Sequence, residues 1–266
     1  VILPASYLNG FAPRDGQPLY PSLWKGCVGS WNPGLGPSGL VLRDQSGLGN
    51  NGTLTNGPTW AASQGRYAMN FDGTDDYVSI SNTTLNDIAP FSICWWENVV
   101  TLPAYPSRFR IKTSTGRDLG ILRTDQTSYY GISLFNVSSG ASKQFTTTPS
   151  VAGGVGVWRH FTLNMYAGPS STNSANYTLV VDKIIHAAQA GGVGIYTGNV
   201  SQIGYDLADN GAGALMDDIR FYNRTISFHE SVILATRRGI AYEMAPRRRS
   251  SVQVTTNRLR RALIGS

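Results

Sequence analysis

Short runs of alternating apolar and polar residues, closed off by clusters of Gly, Asn, Ser and Pro, recur along most of this chain. Alternation with period two marks a β-strand with one face against a core, because successive side chains point to opposite sides. In RYAMNFDG (66–73), Tyr67, Met69 and Phe71 share one face. In DYVSIS (76–81), Val78 and Ile80 oppose Tyr77, Ser79 and Ser81. WKGCVGSW (24–31) and GLVLRD (39–44) come earlier, and FSICWWENVV (91–100), RFRIKT, DLGILRT, YYGISLFNV, KQFTTT and SQIGYD (201–206) come later. WRHFTLNMYAG (158–168) and NYTLVVDKII (176–185) form a predicted hairpin. The separators, such as SGLGNNGTLTNGP (46–58), are rich in Gly and Asn, which accept positive φ in tight turns. About a dozen short strands with hardly any helix predict an all-β sandwich of two antiparallel sheets. One short C-terminal helix is predicted. Ser227 and Glu230 fit a capping box, FHESVILATRR follows, and Gly239 is a natural stop. Phe228, Val232, Ile233 and Leu234 would form its apolar side.

The 266 residues suffice for one large domain with a real core. No apolar run approaches the roughly 20 residues that span a bilayer, so no membrane partner is expected. The opening VILPASYLNGF lacks the basic start of a secretory signal. Cys27 and Cys94 sit in apolar strand-like runs and read as buried thiols, with a single disulfide as the alternative. Charge is unevenly placed. Residues 237–266 carry eight Arg and one acid, a net +7, whereas residues 1–236 carry fourteen Lys/Arg and fifteen Asp/Glu, a net −1.

The acids do not form a catalytic set. Jelly-roll glycosidases place two carboxylates on one strand face. The chain has three glutamates: Glu97 without an acid two or four residues away, Glu230 in the capping box, and Glu243 in the basic tail. Asp75–Asp76 and Asp217–Asp218 are adjacent, so strand alternation would send each pair to opposite faces. Asp217 would share the core side of Ile219 and Phe221, and Asp218 would face out with Arg220 and Tyr222. G-x-S-x-G is absent, and His160, His186 and His229 lack metal-ligand spacing. GLGPSG (34–39) matches a dinucleotide fingerprint, but Pro37 interrupts it and a strand-like run follows, so it reads as a turn. No enzyme is expected.

Five blocks occur in order: VGSW…GLVLRDQSGLGNNGTL (28–54), YAMNFDGTDDYVSI (67–80), WRHFTLNMY (158–166), YTLVVDKI (177–184) and GALMDDIRFYNRTIS (213–227). Together they resemble the laminin-G-like, concanavalin-A-like jelly-roll domains. The resemblance implies a jelly-roll domain over 22–236 between an extended N-terminal arm, 1–21, and a basic C-terminal arm, 237–266. It also implies a structural Ca²⁺ at a sheet edge, held by Asp217 with Asp44 and the loop Gly47–Asn51. The alternative is that Asp217 caps backbone N–H groups and Asp44 begins an Asx turn. Carbohydrate binding is the commonest use of this fold. Tyr105, Tyr129, Tyr130, Tyr166, Tyr196 and Tyr205 are candidates for stacking on sugars, with no basis for choosing among them. The flanks LNGFAPRDGQPLYPSLWKGCVGSW and RRGIAYEMAPRRRSS resemble a group encoded by tailed phages and environmental bacteria.

That likeness implies a non-enzymatic virion structural protein, a head decoration, spike or tail-associated part displaying a lectin-like domain. The alternative is a carbohydrate-binding module of a bacterial surface or secreted protein. Partners would be other virion proteins, met through both arms, with further copies of the chain in a homo-oligomer. Arg247, Arg248, Arg249, Arg258, Arg260 and Arg261 would dock on an acidic neighbouring subunit, helped by strand addition through 251–256. Nucleic acid is the less favoured partner, since no recognised binding motif accompanies the charge. A solvated end is the third reading.

Overall fold

The structure, a computed structural model, describes residues 17–80, 90–101, 107–112, 118–124, 131–136, 142–146, 155–166, 177–187, 199–204 and 213–244. Its strands in chain order begin with β1 (Cys27–Trp31), β2 (Val41–Leu42), β3 (Gly52–Thr55), β4 (Thr59–Ser63), β5 (Arg66–Asp72) and β6 (Tyr77–Ile80). Then come β7 (Phe91–Val99), β8 (Ser107–Lys112), β9 (Asp118–Thr124), β10 (Gly131–Asn136) and β11 (Ser142–Thr146). The last are β12 (Trp158–Met165), β13 (Tyr177–Val181), β14 (Ile184–Ala187), β15 (Asn199–Ile203) and β16 (Gly213–Tyr222). One sheet runs β14-β13-β12-β7-β16-β5-β4, with β1 beside the second half of β16. The other runs β11-β10-β9-β8-β15-β6-β3-β2. The predicted hairpin is present, with Leu163 opposite Leu179 in antiparallel register. The fold is the expected two-sheet jelly roll, with a single α-helix among the described residues, α1 (Phe228–Leu234).

Two apolar cores result. The first lies between the sheets and takes Phe91, Ile93, Trp95 and Val99 from β7, Phe161 and Leu163 from β12, Phe109 from β8, and Val78 and Ile80 from β6. Trp95 stacks on Phe161 at 5.0 Å and meets Phe109 edge-on at 4.9 Å. The second lies on the outer face of the first sheet. There Cys27, Cys94 and Tyr222 pack with Leu23, Ile226, Leu234, Ile240 and Ala241. Strand β7 is therefore buried on both faces, which is why FSICWWENV carries apolar residues at consecutive positions. Cys27 and Cys94 are free, buried thiols on β1 and β7, with β16 between them. Burial raises their pKa to about 11 and about 12.

Three expectations need correction. Helix α1 is shorter than FHESVILATRR and buries Ser231 and Leu234, while Phe228 is 47% exposed. Phe228 occupies the first helical position, where the chain enters from the surface. Gly239, at φ 77°, begins a 3-10 turn at Ile240–Tyr242 instead of ending the helix. Residues 237–244, counted with the C-terminal arm on charge alone, pack onto the sandwich, and Ile240 and Ala241 are buried in the second core. At the other end, the Leu19 N–H donates to Glu243 O at 2.6 Å, and Pro18 bridges Met244. Arg247, Arg248, Arg249, Arg258, Arg260 and Arg261 lie outside the described residues, as do positions 1–16 of the N-terminal arm.

Candidate functional site

The adjacent acids of β16 do not split between faces. Asp217 pairs with Trp96 of β7, but Arg220 pairs with Cys94, so one extra residue is accommodated between them. This is a β-bulge, and Asp218 takes φ 46°, a left-handed conformation that Asp tolerates better than most residues. The bulge restores Ile219 to the inner core while placing Asp217, Asp218 and Arg220 together on the outer face. The expected outward, solvent-facing Asp218 is thus 2% exposed.

Each buried carboxylate has its own partners. Asp217 Oδ1 accepts from the N–H groups of Gly34 (3.2 Å) and Asp218 (2.8 Å). Its Oδ2 faces Arg66 Nε at 3.3 Å and Arg238 Nη1 at 3.5 Å. Burial pushes the Asp217 carboxyl up to about 6 against the pull of Arg66. Asp218 accepts from Arg220 Nε (3.0 Å) and from the Gly239 N–H (2.9 Å). The Arg220 guanidinium lies 4.6 Å from the ring centroids of both Trp24 and Tyr242, a cation–π position on each. Trp24 Nε1 donates to Ala241 O, and Tyr222 Oη donates to Leu23 O. Arg238 lies 3.9 Å from the Trp158 ring centroid and donates to Ser63 O. The MDDIR stretch is therefore a clasp that ties residues 18–24 and 237–244 to the sheet.

Asp44 is elsewhere in its bonding. Its Oδ1 accepts from the N–H groups of Ser30 and Ser46, and its Oδ2 from Ser46 Oγ and the Asn50 N–H. Ca²⁺ needs six to eight oxygens with free lone pairs. Asp217 and Asp44 do not fit it: their oxygens are met by guanidiniums, N–H groups and a hydroxyl, and they share no hydrogen-bond partner among those above. Among the described residues, Asp72, Asp75 and Asp76 bring carboxylate oxygens within 4.8 Å of one another. Asp76 there accepts from the Asp72 N–H, and Asp75 from Asn56 Nδ2.

All three glutamates are engaged. Glu97 points between the sheets, where both of its oxygens meet Arg108 at 2.7 Å and Trp95 Nε1 donates to it at 3.2 Å. Glu230 pairs with Arg224 at 2.7 and 3.0 Å while completing the capping box. Burial pushes the Glu230 carboxyl up, but hydrogen bonds from Arg224 and the Ser227 N–H outweigh it and hold the group below its usual range. Glu243 pairs with Arg237.

A groove of about 360 Å³ opens on the outer face of the first sheet, where β12 and β13 emerge from beneath α1. Tyr166, Thr178, Ile185, Arg224, Phe228 and Glu230 are among its walls. Of the six candidate tyrosines, Tyr166 lines this groove, with its hydroxyl 3.3 Å from Thr178 Oγ1. Tyr105, Tyr129, Tyr130, Tyr196 and Tyr205 lie outside the described residues. Arg224 and Phe228 were not singled out as site residues from the sequence. The signal available was the capping box, which puts the residue after Ser227 at the surface next to Glu230.

Two antiparallel sheets in this strand order define a jelly-roll sandwich. The chain belongs to the concanavalin A-like lectin/glucanases superfamily, whose laminin-G-type model matches residues 72–230. No curated protein matches the chain. Among solved structures, it is similar to domain 4 of AbnA, an extracellular arabinanase from Geobacillus stearothermophilus, in complex with arabinotriose. The identity is 11%, over 84% of this chain and 100% of that chain, with a TM-score of 0.59. It is also similar to Trypanosoma rangeli sialidase (13% identity, 79% of this chain and 32% of that chain, TM-score 0.55). A third likeness is the binding domain of botulinum neurotoxin serotype D (12% identity, 80% and 52%, TM-score 0.54). At these identities the likeness is one of fold. No helix among the described residues is long and apolar enough to cross a membrane.

Proposed function

We propose that this protein is a non-enzymatic, glycan-binding module displayed on a phage virion and anchored by its two terminal arms. The observation that carries the non-enzymatic part is the engagement of all three glutamates in ion pairs. Asp217, whose raised pKa would suit a general acid, is fully buried beneath two arginines and has no path to a substrate. With every glutamate paired to an arginine, membership of a superfamily of lectins and glucanases points to binding. The arabinanase domain solved with arabinotriose is consistent with sugar recognition by this architecture.

Anchoring draws on the pairing of the flanks at Pro18 and Met244, which brings the two ends of the described domain together. The arginines at 247–249, 258, 260 and 261 would supply the positive charge that docks on an acidic neighbouring subunit. A glycan microarray tests the binding function: specific hits are expected, and a blank array defeats it. Incorporation into particles tests the anchor. A chain lacking residues 245–266 should fold yet fail to assemble, and normal incorporation would sink the docking role.

A further inference from the structure

We propose that the groove beside α1 is a subsite for a neutral saccharide, with Phe228 as its stacking platform; this rests on the glycan-binding reading above. A sugar ring offers an apolar C–H face and a rim of hydroxyls. The groove offers both complements. Phe228, half-exposed at the first position of α1, and Tyr166 supply aromatic surface, and Ile185, 55% exposed, extends the apolar wall. Glu230 and Thr178 supply polar groups in the same lining, while the five N–H groups of Arg224 are spent on Glu230 and on the carbonyls of Ser22, Lys25 and Thr225.

These polar groups are held in advance. Arg224 Nε donates to Lys25 O at 2.8 Å and its Nη2 to Ser22 O at 3.2 Å, while Glu230 is fixed by Ser227. A ligand therefore meets groups whose ordering cost is already met by the fold. The charge balance selects the class. Arg224 and Glu230 neutralise each other through two hydrogen bonds. The capping box occupies the N–H groups of Ser227 and Glu230. An acidic sugar would enter this site without an uncommitted positive charge to replace its hydration, whereas a sugar hydroxyl can donate to Glu230 Oε1, which accepts one bond from Arg224. The volume, about 360 Å³, suits one or two sugar rings.

The test is calorimetric titration of the full chain with cellotriose, xylotriose and mannotriose as neutral probes and sialyllactose as the acidic one, run beside the glycan array. At least one neutral probe should bind. Phe228→Ala, an exposed change whose fold is checked by circular dichroism, should weaken it about tenfold or more. Tyr166→Phe should weaken it less. Unchanged neutral binding in Phe228→Ala would place the sugar elsewhere and overturn the groove while leaving glycan binding intact. Tighter binding of sialyllactose would overturn the neutral class. A positive array with no response to any of the probes would likewise overturn the subsite alone, whereas a blank array would remove both the subsite and the glycan-binding function.

Discussion

Asp217 and Glu97 carry the clearest consequences of single side chains. Asp217 has its pKa raised from the ordinary 3.8 to about 6, chiefly by burial. The folded state then holds a proton that the unfolded state has lost between these values. Its contribution to stability is fully present below about pH 4 and is lost as pH rises through about 6, by an amount on the order of 3 kcal/mol. Asp217→Asn should remove this slope. Urea titrations from pH 4 to 7 should show wild type losing stability relative to the variant as pH rises, and a constant difference would refute the assignment. Glu97 sits with Arg108 between the sheets, both nearly inaccessible. Glu97→Gln removes the carboxylate that both Arg108 and Trp95 face between the sheets and should cost about 3–5 kcal/mol. Replacing both residues by Leu should recover most of that, because the pair's desolvation cost disappears with it. The same measurement decides it.

Among the elements, α1 shows local chemistry acting at a distance. Its capping box was readable from Ser227 and Glu230 alone, and both reciprocal bonds are present. Glu230 also fixes Arg224, which reaches the carbonyls of Ser22 and Lys25, so the helix start secures the N-terminal flank. Ser227→Ala should therefore cost about 1 kcal/mol for the cap. It should also speed amide exchange at residues 22–25 as well as in the helix; unaltered exchange there would show the two ends to be uncoupled. Strand β16 teaches the opposite lesson. Its alternation was legible, and Ile219 and Phe221 do face the core. The bulge was not legible, because it is set by pairing with β7 on one side and β1 on the other. One inserted residue moved Asp217 from the predicted core side to the outer face beside Asp218, where both carboxylates are buried against arginines.

For the whole molecule, the question is where the domain ends. The charge break at residue 237 suggested an arm, yet Ile240, Ala241 and Tyr242 cover Cys27, Cys94 and Arg220. Removing 245–266 should leave the denaturation midpoint unchanged. Removing 237–266 strips the outer face of the first sheet and should cost roughly 5 kcal/mol or more from lost apolar burial. Equal stabilities would show the clasp to be ornamental.

By itself, the sequence determined the period-two strands, the hairpin of β12 and β13, the capped helix and the two-sheet class. Each follows from contacts among near neighbours or from the alternation of faces, both of which are written in residue order. Only the tertiary structure decided which face Asp217 and Asp218 share, what Glu97 and Arg220 touch, that residues 237–244 belong to the body, and that Phe228 and Tyr166 line one groove. Those outcomes depend on segments up to about two hundred positions apart, such as Leu23 with Tyr222. The free energy of burying a charge or closing a cleft is set by what arrives from the rest of the chain, and no local pattern records it.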